Sequence, residues 1–186
     1  MRSSRRLASA ALAACLLAGC GALERQHPGS LAIRSAWIAG SADAPQLALA
    51  LDCRLSGPMQ DALDHGIPLT FRIRVDAGRW KLLPPSVRSE QRIELRYFPL
   101  SRRYQLRDLD AQADVRSFAT TGYLLAGLSS LRVPLPSAFA TLPRGTHVSV
   151  GAELETAALP GALRLPALFE PAWQLSATEY RWQPAG

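Results

Sequence analysis

The sequence is poor in the residues from which catalytic and metal sites are most often built. Its 186 residues include three cysteines and three histidines, and the histidines are scattered along the chain. It contains no G-x-S-x-G, H-E-x-x-H, S-x-x-K or C-x-x-C motif, no Walker loop and no G-x-G-x-x-G turn. These absences exclude the familiar signatures of serine hydrolases, zinc proteases and nucleotide-binding proteins. We therefore expect no cofactor and no enzymatic activity.

Two acidic clusters could suggest a metal site. Asp61, Asp64 and His65 fall on one short helical turn, where they are explained equally well as its polar side. The second cluster lacks the glycine and the distal glutamate of a calcium-binding loop, and it contains Asp108, Asp110 and Asp114. We expect neither cluster to bind a metal ion.

Acidic residues are absent from the first 19 residues, which carry three arginines before an uncharged run that ends at Gly19. This pattern is typical of a secretory signal, and the run is too short to span a bilayer. The last four residues, Leu17 to Cys20, resemble a bacterial lipobox. The sequence thus predicts a lipoprotein signal peptide in residues 1–19 and acylation of Cys20 with fatty acids such as palmitate. An ordinary signal peptide with an incidental cysteine is the alternative.

Residues 20–30 are polar, contain Pro28 and show no periodicity, so they are predicted to be an acylated tether. A flexible chain of this length reaches on the order of 18 Å. Gly21, rather than aspartate, follows the cysteine and resembles the outer-membrane sorting signal. We expect a protein anchored in the outer membrane by lipid, on the periplasmic face.

Positive charge is modest once the signal is removed. Loss of residues 1–19 removes three arginines and no acid, so the formal net charge falls from +6 to +3. A charge of this size on one domain does not indicate nucleic-acid binding.

Strict alternation of apolar and polar residues marks two central strands between residues 69 and 97. Leu69, Phe71, Ile73 and Val75 share one face of the first strand, and the second strand repeats the pattern. Similar short strands are predicted at residues 31–38, 46–55, 104–109, 146–154 and 173–182, with a shorter one at Trp80–Leu82. The predicted fold is a mainly β, single-domain antiparallel β-sandwich over residues 31–183, immunoglobulin-like in general architecture.

One helix is predicted within this sandwich. Residues 117–131 carry no charge, Ser117 is a suitable N-cap, and Pro134 ends the segment. Residues 58–64 are expected to form one or two helical turns, and residues 160–171 an irregular segment with several prolines.

Cys53 lies in an alternating leucine strand from residue 46 to 55. Because Cys15 leaves with the signal and Cys20 is acylated, Cys53 has no partner for a disulfide. We expect a buried and unreactive thiol.

Arginine dominates the basic residues. Four of them fall on the outward faces of the two central strands: Arg72, Arg74, Arg92 and Arg96. They could form a patch for lipid phosphates or an acidic partner, since the guanidinium group suits phosphate. The alternative is a solvated sheet face that Asp76, Glu90 and Glu94 neutralise.

A set of short motifs resembles family 4390 of the domains of unknown function, which occurs in proteobacterial envelope proteins. The motifs are Ala62-Leu63-Asp64-x-Gly66-Ile67-Pro68-Leu69-x-Phe71, Arg79-Trp80, Leu95-x-Tyr97, Arg103-Tyr104, Leu154-Glu155, Leu159-Pro160, Trp173-x-Leu175-Ser176 and Arg181-Trp182. The chain departs from the family pattern near Thr120 and Thr121, where acidic residues are expected.

The resemblance implies no catalytic residues, because none is known for the family. It implies genes that lie beside a sensor-kinase pair. Our expectation is a non-enzymatic lipoprotein that binds another envelope component. The alternative is an accessory protein that docks on the periplasmic domain of a membrane sensor histidine kinase.

Overall fold

The computed structural model describes residues 28–79, 84–111 and 115–184. The strands are β1 (Ser30–Gly40), β2 (Pro45–Arg54), β3 (Leu69–Gly78), β4 (Val87–Phe98), β5 (Arg103–Asp108), β6 (Arg116–Phe118), β7 (Leu131–Pro134), β8 (His147–Leu154) and β9 (Tyr180–Trp182). They form a three-stranded sheet, β1-β2-β7, and a six-stranded sheet, β6-β5-β4-β3-β8-β9. Every pairing is antiparallel.

The alternation of apolar and polar residues along the strands produces the core. The apolar residues of β3 at positions 69, 71, 73 and 75 are all buried, and Val148, Val150 and Ala152 face the same way from β8. Leucines of β2 join them in one hydrophobic cluster that includes residues of both sheets. Burial of each valine, leucine, isoleucine or phenylalanine side chain stabilises the fold by about 1.5–3 kcal/mol. The prediction of a mainly β fold with antiparallel sheets is confirmed.

Strand β1 is the edge of the three-stranded sheet and contains a bulge at Arg34. Its pairing with β2 shifts between Ile33 and Ser35, so Arg34 has no directly opposite residue. The extra residue changes the phase of the alternation. Leu31 therefore faces the core before the bulge, and Ala36 faces it after the bulge. Arg34 forms an exposed ion pair with Asp52.

Three helices are present in the described residues, two more than the single inserted helix predicted. Helix α1 is Gly57–Asp64, α2 is Thr121–Gly127 and α3 is Gly161–Phe169. Helix α1 begins where Ser56 Oγ accepts a hydrogen bond from the Met59 backbone N–H, and it buries Met59 and Leu63. The helical turns expected in this segment are thus a complete short helix.

Helix α2 is shorter than predicted and begins later. Residues 116–118 form strand β6 instead, which pairs with β5, and Thr120 rather than Ser117 caps the helix. A 3₁₀ turn, Leu128–Ser130, follows α2. The competing strand pairing of Phe118 with Tyr104 explains the difference, because tertiary contacts override weak helix propensity.

The segment 160–171 was expected to be irregular and instead contains α3. Pro166 lies inside this helix, where it removes one backbone donor. The carbonyl of Pro166 nevertheless accepts a hydrogen bond from the Glu170 N–H at 2.9 Å. The last predicted strand, residues 173–182, is also interrupted. It touches β8 through a single bridge at Ser176 and pairs regularly only in β9.

Some predictions fall on residues outside those described. They are the signal peptide of residues 1–19, most of the tether including Cys20, the short strand at Trp80–Leu82, and Asp114 of the acidic loop.

Candidate functional site

The predicted arginine patch lies on the outward face of the six-stranded sheet, where the strand register sets opposite charges against each other. Arg74 is directly opposite Glu90, and their side chains are 2.8 Å apart. Arg72 is directly opposite Glu153 in β8, also at 2.8 Å. Opposite charges at facing positions stabilise a sheet modestly. These two arginines therefore have carboxylate partners within the protein.

Arg92 and Arg72 face each other across β3 and β4, which would be unfavourable without other partners. The guanidinium of Arg92 instead lies 2.6 Å from the carboxylate of Asp110. The hydrogen bond from Arg92 lowers the pKa of Asp110 below its usual value, so this carboxylate is ionised at neutral pH. Arg96 has no ion-pair partner among the described residues, and its guanidinium lies 5.1 Å from the centre of the Phe98 ring.

The face is thus largely neutralised by its own carboxylates. Two further pairs, Arg88 with Asp76 and Arg107 with Glu94, complete the pattern. A shallow groove of about 280 Å³ crosses this face above Gly151, and both arginines and acids line it. The pairing favours a solvated, charge-matched face over a phosphate site. Binding of an anion at Arg72, Arg74, Arg92 and Arg96 stays a prediction.

The two acidic clusters use their polar groups locally. Asp64 accepts a hydrogen bond from the Tyr104 hydroxyl at 2.7 Å, and His65 Nδ1 lies 2.6 Å from the Asp61 carbonyl oxygen. Asp108 Oδ1 accepts hydrogen bonds from the two N–H groups at positions 110 and 111. Within the described ranges, no group of three or more His, Cys, Asp or Glu side chains could hold a metal ion.

Cys53 lies on the inner face of β2 and is buried, as its place in the leucine pattern predicted. Burial, with a smaller contribution from the charge of Asp52, raises the pKa of its thiol to about 12. The thiolate is the reactive form of cysteine, and it is scarce at neutral pH when the pKa is this high.

We expect Cys53 to resist alkylation in the folded protein and to react after denaturation in guanidinium. The measurement is mass spectrometry of the peptide that contains Cys53, before and after denaturation at pH 8. Cys53→Ser should lower the free energy of unfolding by about 1–3 kcal/mol, because a buried hydroxyl replaces an apolar thiol. Rapid labelling of the native protein would instead place the thiol at the surface and contradict the register of β2.

One cleft of about 430 Å³ lies between two edge strands, one from each sheet. It is at the end of the sandwich away from residue 28. β1 contributes Trp37 and Gly40 at its C-terminal end, and β9 contributes Trp182 from the other sheet. The 3₁₀ turn Ser137–Phe139 supplies the buried ring of Phe139. The cleft therefore joins residues that are far apart in the sequence.

The side chains that line the cleft are uncharged, and three of them are aromatic: Trp37, Phe139 and Trp182. None of the described residues that line it is charged. Trp37 is about half exposed at 49%, and the guanidinium of Arg132 lies 5.7 Å from the centre of its ring. His147 lies within hydrogen-bonding distance of Gln183, next to Trp182, but it does not line the cleft. The cleft can therefore bind a neutral apolar group, and its lining supplies no acid or base.

Sequence reasoning missed this cleft. Trp37 lies in β1 and was not singled out, and Trp182 was noted only as part of a family motif. The one available signal was a tryptophan within the strand predicted at residues 31–38, since tryptophan is common at binding surfaces. Among the described helices, none is long and apolar enough to cross a membrane.

Comparisons with other proteins place the chain in a family. Neither a search of curated proteins nor a search of solved structures found a match. A family model, in contrast, matches residues 29–183, which include both sheets, the three described helices and every residue that lines the cleft except Pro184. On this match, the chain belongs to the family described as Domain of unknown function (DUF4390).

Proposed function

We propose that this protein is a non-enzymatic lipoprotein of the outer membrane, facing the periplasm, which binds a segment of another envelope protein in the cleft between β1 and β9. The observation that carries the proposal is the uncharged, aromatic lining of that cleft beside two edge strands. The signal peptide and lipobox at residues 1–20 support the location.

The size of the cleft suits a short peptide segment. Its volume of about 430 Å³ falls within the range of ordinary ligand sites, roughly 300–1,000 Å³. Rings such as those of Trp37 and Trp182 offer a large contact area and lose little rotamer freedom on binding. The lining residues fit an apolar side chain better than a phosphate or a sugar acid, since they provide no charge.

The edge strands offer a second mode of contact. Among the described strands, β1 is hydrogen-bonded only to β2, so its other side is an open edge with respect to them. An extended peptide can add to such an edge through main-chain hydrogen bonds while its side chains enter an adjacent pocket. The regular part of β1, after the bulge at Arg34, lies next to the cleft.

Site-specific photocross-linking in living cells tests this proposal. A photoreactive amino acid at Ala42 or at Ala140, two positions that line the cleft, should give the same discrete adduct with an envelope protein. The adduct should fall at least tenfold when Trp37→Ala is added. Mass spectrometry of the adduct would distinguish an envelope component in general from the periplasmic domain of a sensor kinase.

The matched control is the same photoreactive residue at Arg144, which is exposed but does not line the cleft. It should give no such adduct. Equal cross-linking from Arg144, or none from either cleft position in folded and correctly located protein, would overturn the proposed site.

A further inference from the structure

The described chain starts at the same end of the sandwich as helix α3. A Cβ atom added at Gly29 would lie 3.1 Å from Leu175 Cδ1. The carbonyl of Leu175 accepts a hydrogen bond from the N–H of Leu154, the last residue of β8. Helix α3 begins seven residues after Leu154, behind one 3₁₀ turn. Residue 28, which the predicted tether precedes, therefore lies at the end that carries α3.

Helix α3 presents an unusual amount of apolar surface. Leu165, Leu168 and Phe169 are 68%, 58% and 80% exposed, although Ala167 of the same helix is buried in the core. Positions three and four apart share one face of a helix, so these three side chains form one apolar stripe. The helix contains no acidic residue, and its one charged residue is Arg164.

The turn between β4 and β5 adds another exposed apolar side chain at this end of the sandwich. Leu69, the first residue of β3, is directly opposite Leu95 in β4, so the last three residues of β4 extend beyond the start of β3. Leu100 follows in the turn and is fully exposed. Arg102 and Arg103 follow after Ser101, and both are exposed. This end of the domain thus combines exposed apolar side chains with basic ones.

The opposite end has a different character. Strand β1 has eleven residues and spans about 33 Å at roughly 3.3 Å per residue. The turn that follows it is made of small and polar residues, Ser41 to Ala44, all of them exposed. The cleft also lies at this end. The two ends of the sandwich differ in the surface they offer.

We infer that the α3 end of the domain lies on the surface of the lipid bilayer, with Leu165, Leu168, Phe169 and Leu100 inserted at the level of the headgroups. The inference rests on the proposed lipid anchor, because a tether reaching on the order of 18 Å from Cys20 holds this end close to the membrane. Exposed apolar side chains that lie near basic ones bind the interface in this way. Arg102 and Arg103 would then meet lipid phosphates, and the cleft would point into the periplasm.

The test uses the acylated full-length protein in vesicles of phosphatidylethanolamine and phosphatidylglycerol. Leu168→Cys is labelled with an environment-sensitive fluorophore, and Leu100→Cys provides a second probe on another element. Cys53 is buried and stays unlabelled in the native protein. Both probes should show blue-shifted emission and at least a twofold loss of intensity with lipids that carry a nitroxide near the headgroup. Ser41→Cys, at the opposite end, is the control and should show neither change.

Vesicle flotation distinguishes failure of the inferred orientation from failure of the proposed lipid anchor. If the labelled protein floats with the vesicles but both probes behave as in water, the orientation is wrong while the anchor stands. If the probes are shielded from aqueous iodide yet unaffected by nitroxide lipid, another protein copy covers α3 and the inference is wrong. If the protein does not float, the anchor fails, and the inference fails with it.

Discussion

Replacement of Cys20 by alanine is expected to abolish the incorporation of labelled palmitate and to leave an unprocessed or soluble precursor. The thiol of this cysteine is the attachment point for the lipid, and a lipobox without it cannot be acylated. One acyl chain binds a membrane only marginally, whereas two or more hold a protein stably. The change is therefore expected to remove the protein almost completely from the outer-membrane fraction.

Cys15→Ala is the matched control, because it removes a cysteine from the same segment while leaving the lipobox intact. Labelling and membrane fractionation should be unchanged in this variant. A Cys20→Ala protein that still takes up palmitate and sediments with membranes would rule out the lipoprotein assignment.

The second large effect is expected at the centre of the core. Phe71 is fully buried on β3 and lies between Ile93 of β4 and Leu154 of β8 in the sheet register. Phe71→Ala removes a buried ring and leaves a cavity in the core, so the free energy of unfolding should fall by about 3–5 kcal/mol. Urea denaturation followed by circular dichroism measures the change.

The neighbouring position on the same strand provides the control. Arg72 points to the outward face, where its ion pair with Glu153 is partly exposed to water. Arg72→Ala should lower the free energy of unfolding by no more than about 1 kcal/mol, as is usual for exposed pairs. Equal losses in the two variants would mean that the alternation of β3 does not separate a core face from a solvent face.

The local alternation of apolar and polar residues was sufficient to predict the central strands of the larger sheet. Leu69, Phe71, Ile73 and Val75 alternate with polar residues, and burial follows that alternation. Thr70 is the exception: the alternation places it on the outward face of β3, yet it is only 5% exposed. The chain that leaves β8 runs beside it there, and the Glu155 N–H donates a hydrogen bond to the Thr70 carbonyl. A contact between residues so far apart has no signature in the sequence around Thr70.

The same reason explains the other differences. Pro166 indicates an irregular segment when it is considered alone, but α3 forms because Ala167 packs into the core. The acidic residues between the arginines indicated that the charge of this sheet face is neutralised. The individual ion pairs depend on strand register, which the sequence does not give. The cleft could not be predicted, because Trp37, Phe139 and Trp182 come together only when the two sheets are assembled.

The bulge at Arg34 has a consequence for solubility. A lipid anchor would confine many copies of this protein to two dimensions, where like edge strands meet often and intermolecular sheets can grow. An uninterrupted edge of eleven residues would be a hazard in that setting. The bulge breaks the hydrogen-bonding repeat of β1 after four residues and leaves a charged arginine at the break. An intermolecular sheet can thus pair with one half of the edge but not with both halves. The bulge therefore opposes fibre formation when many copies are crowded on the membrane.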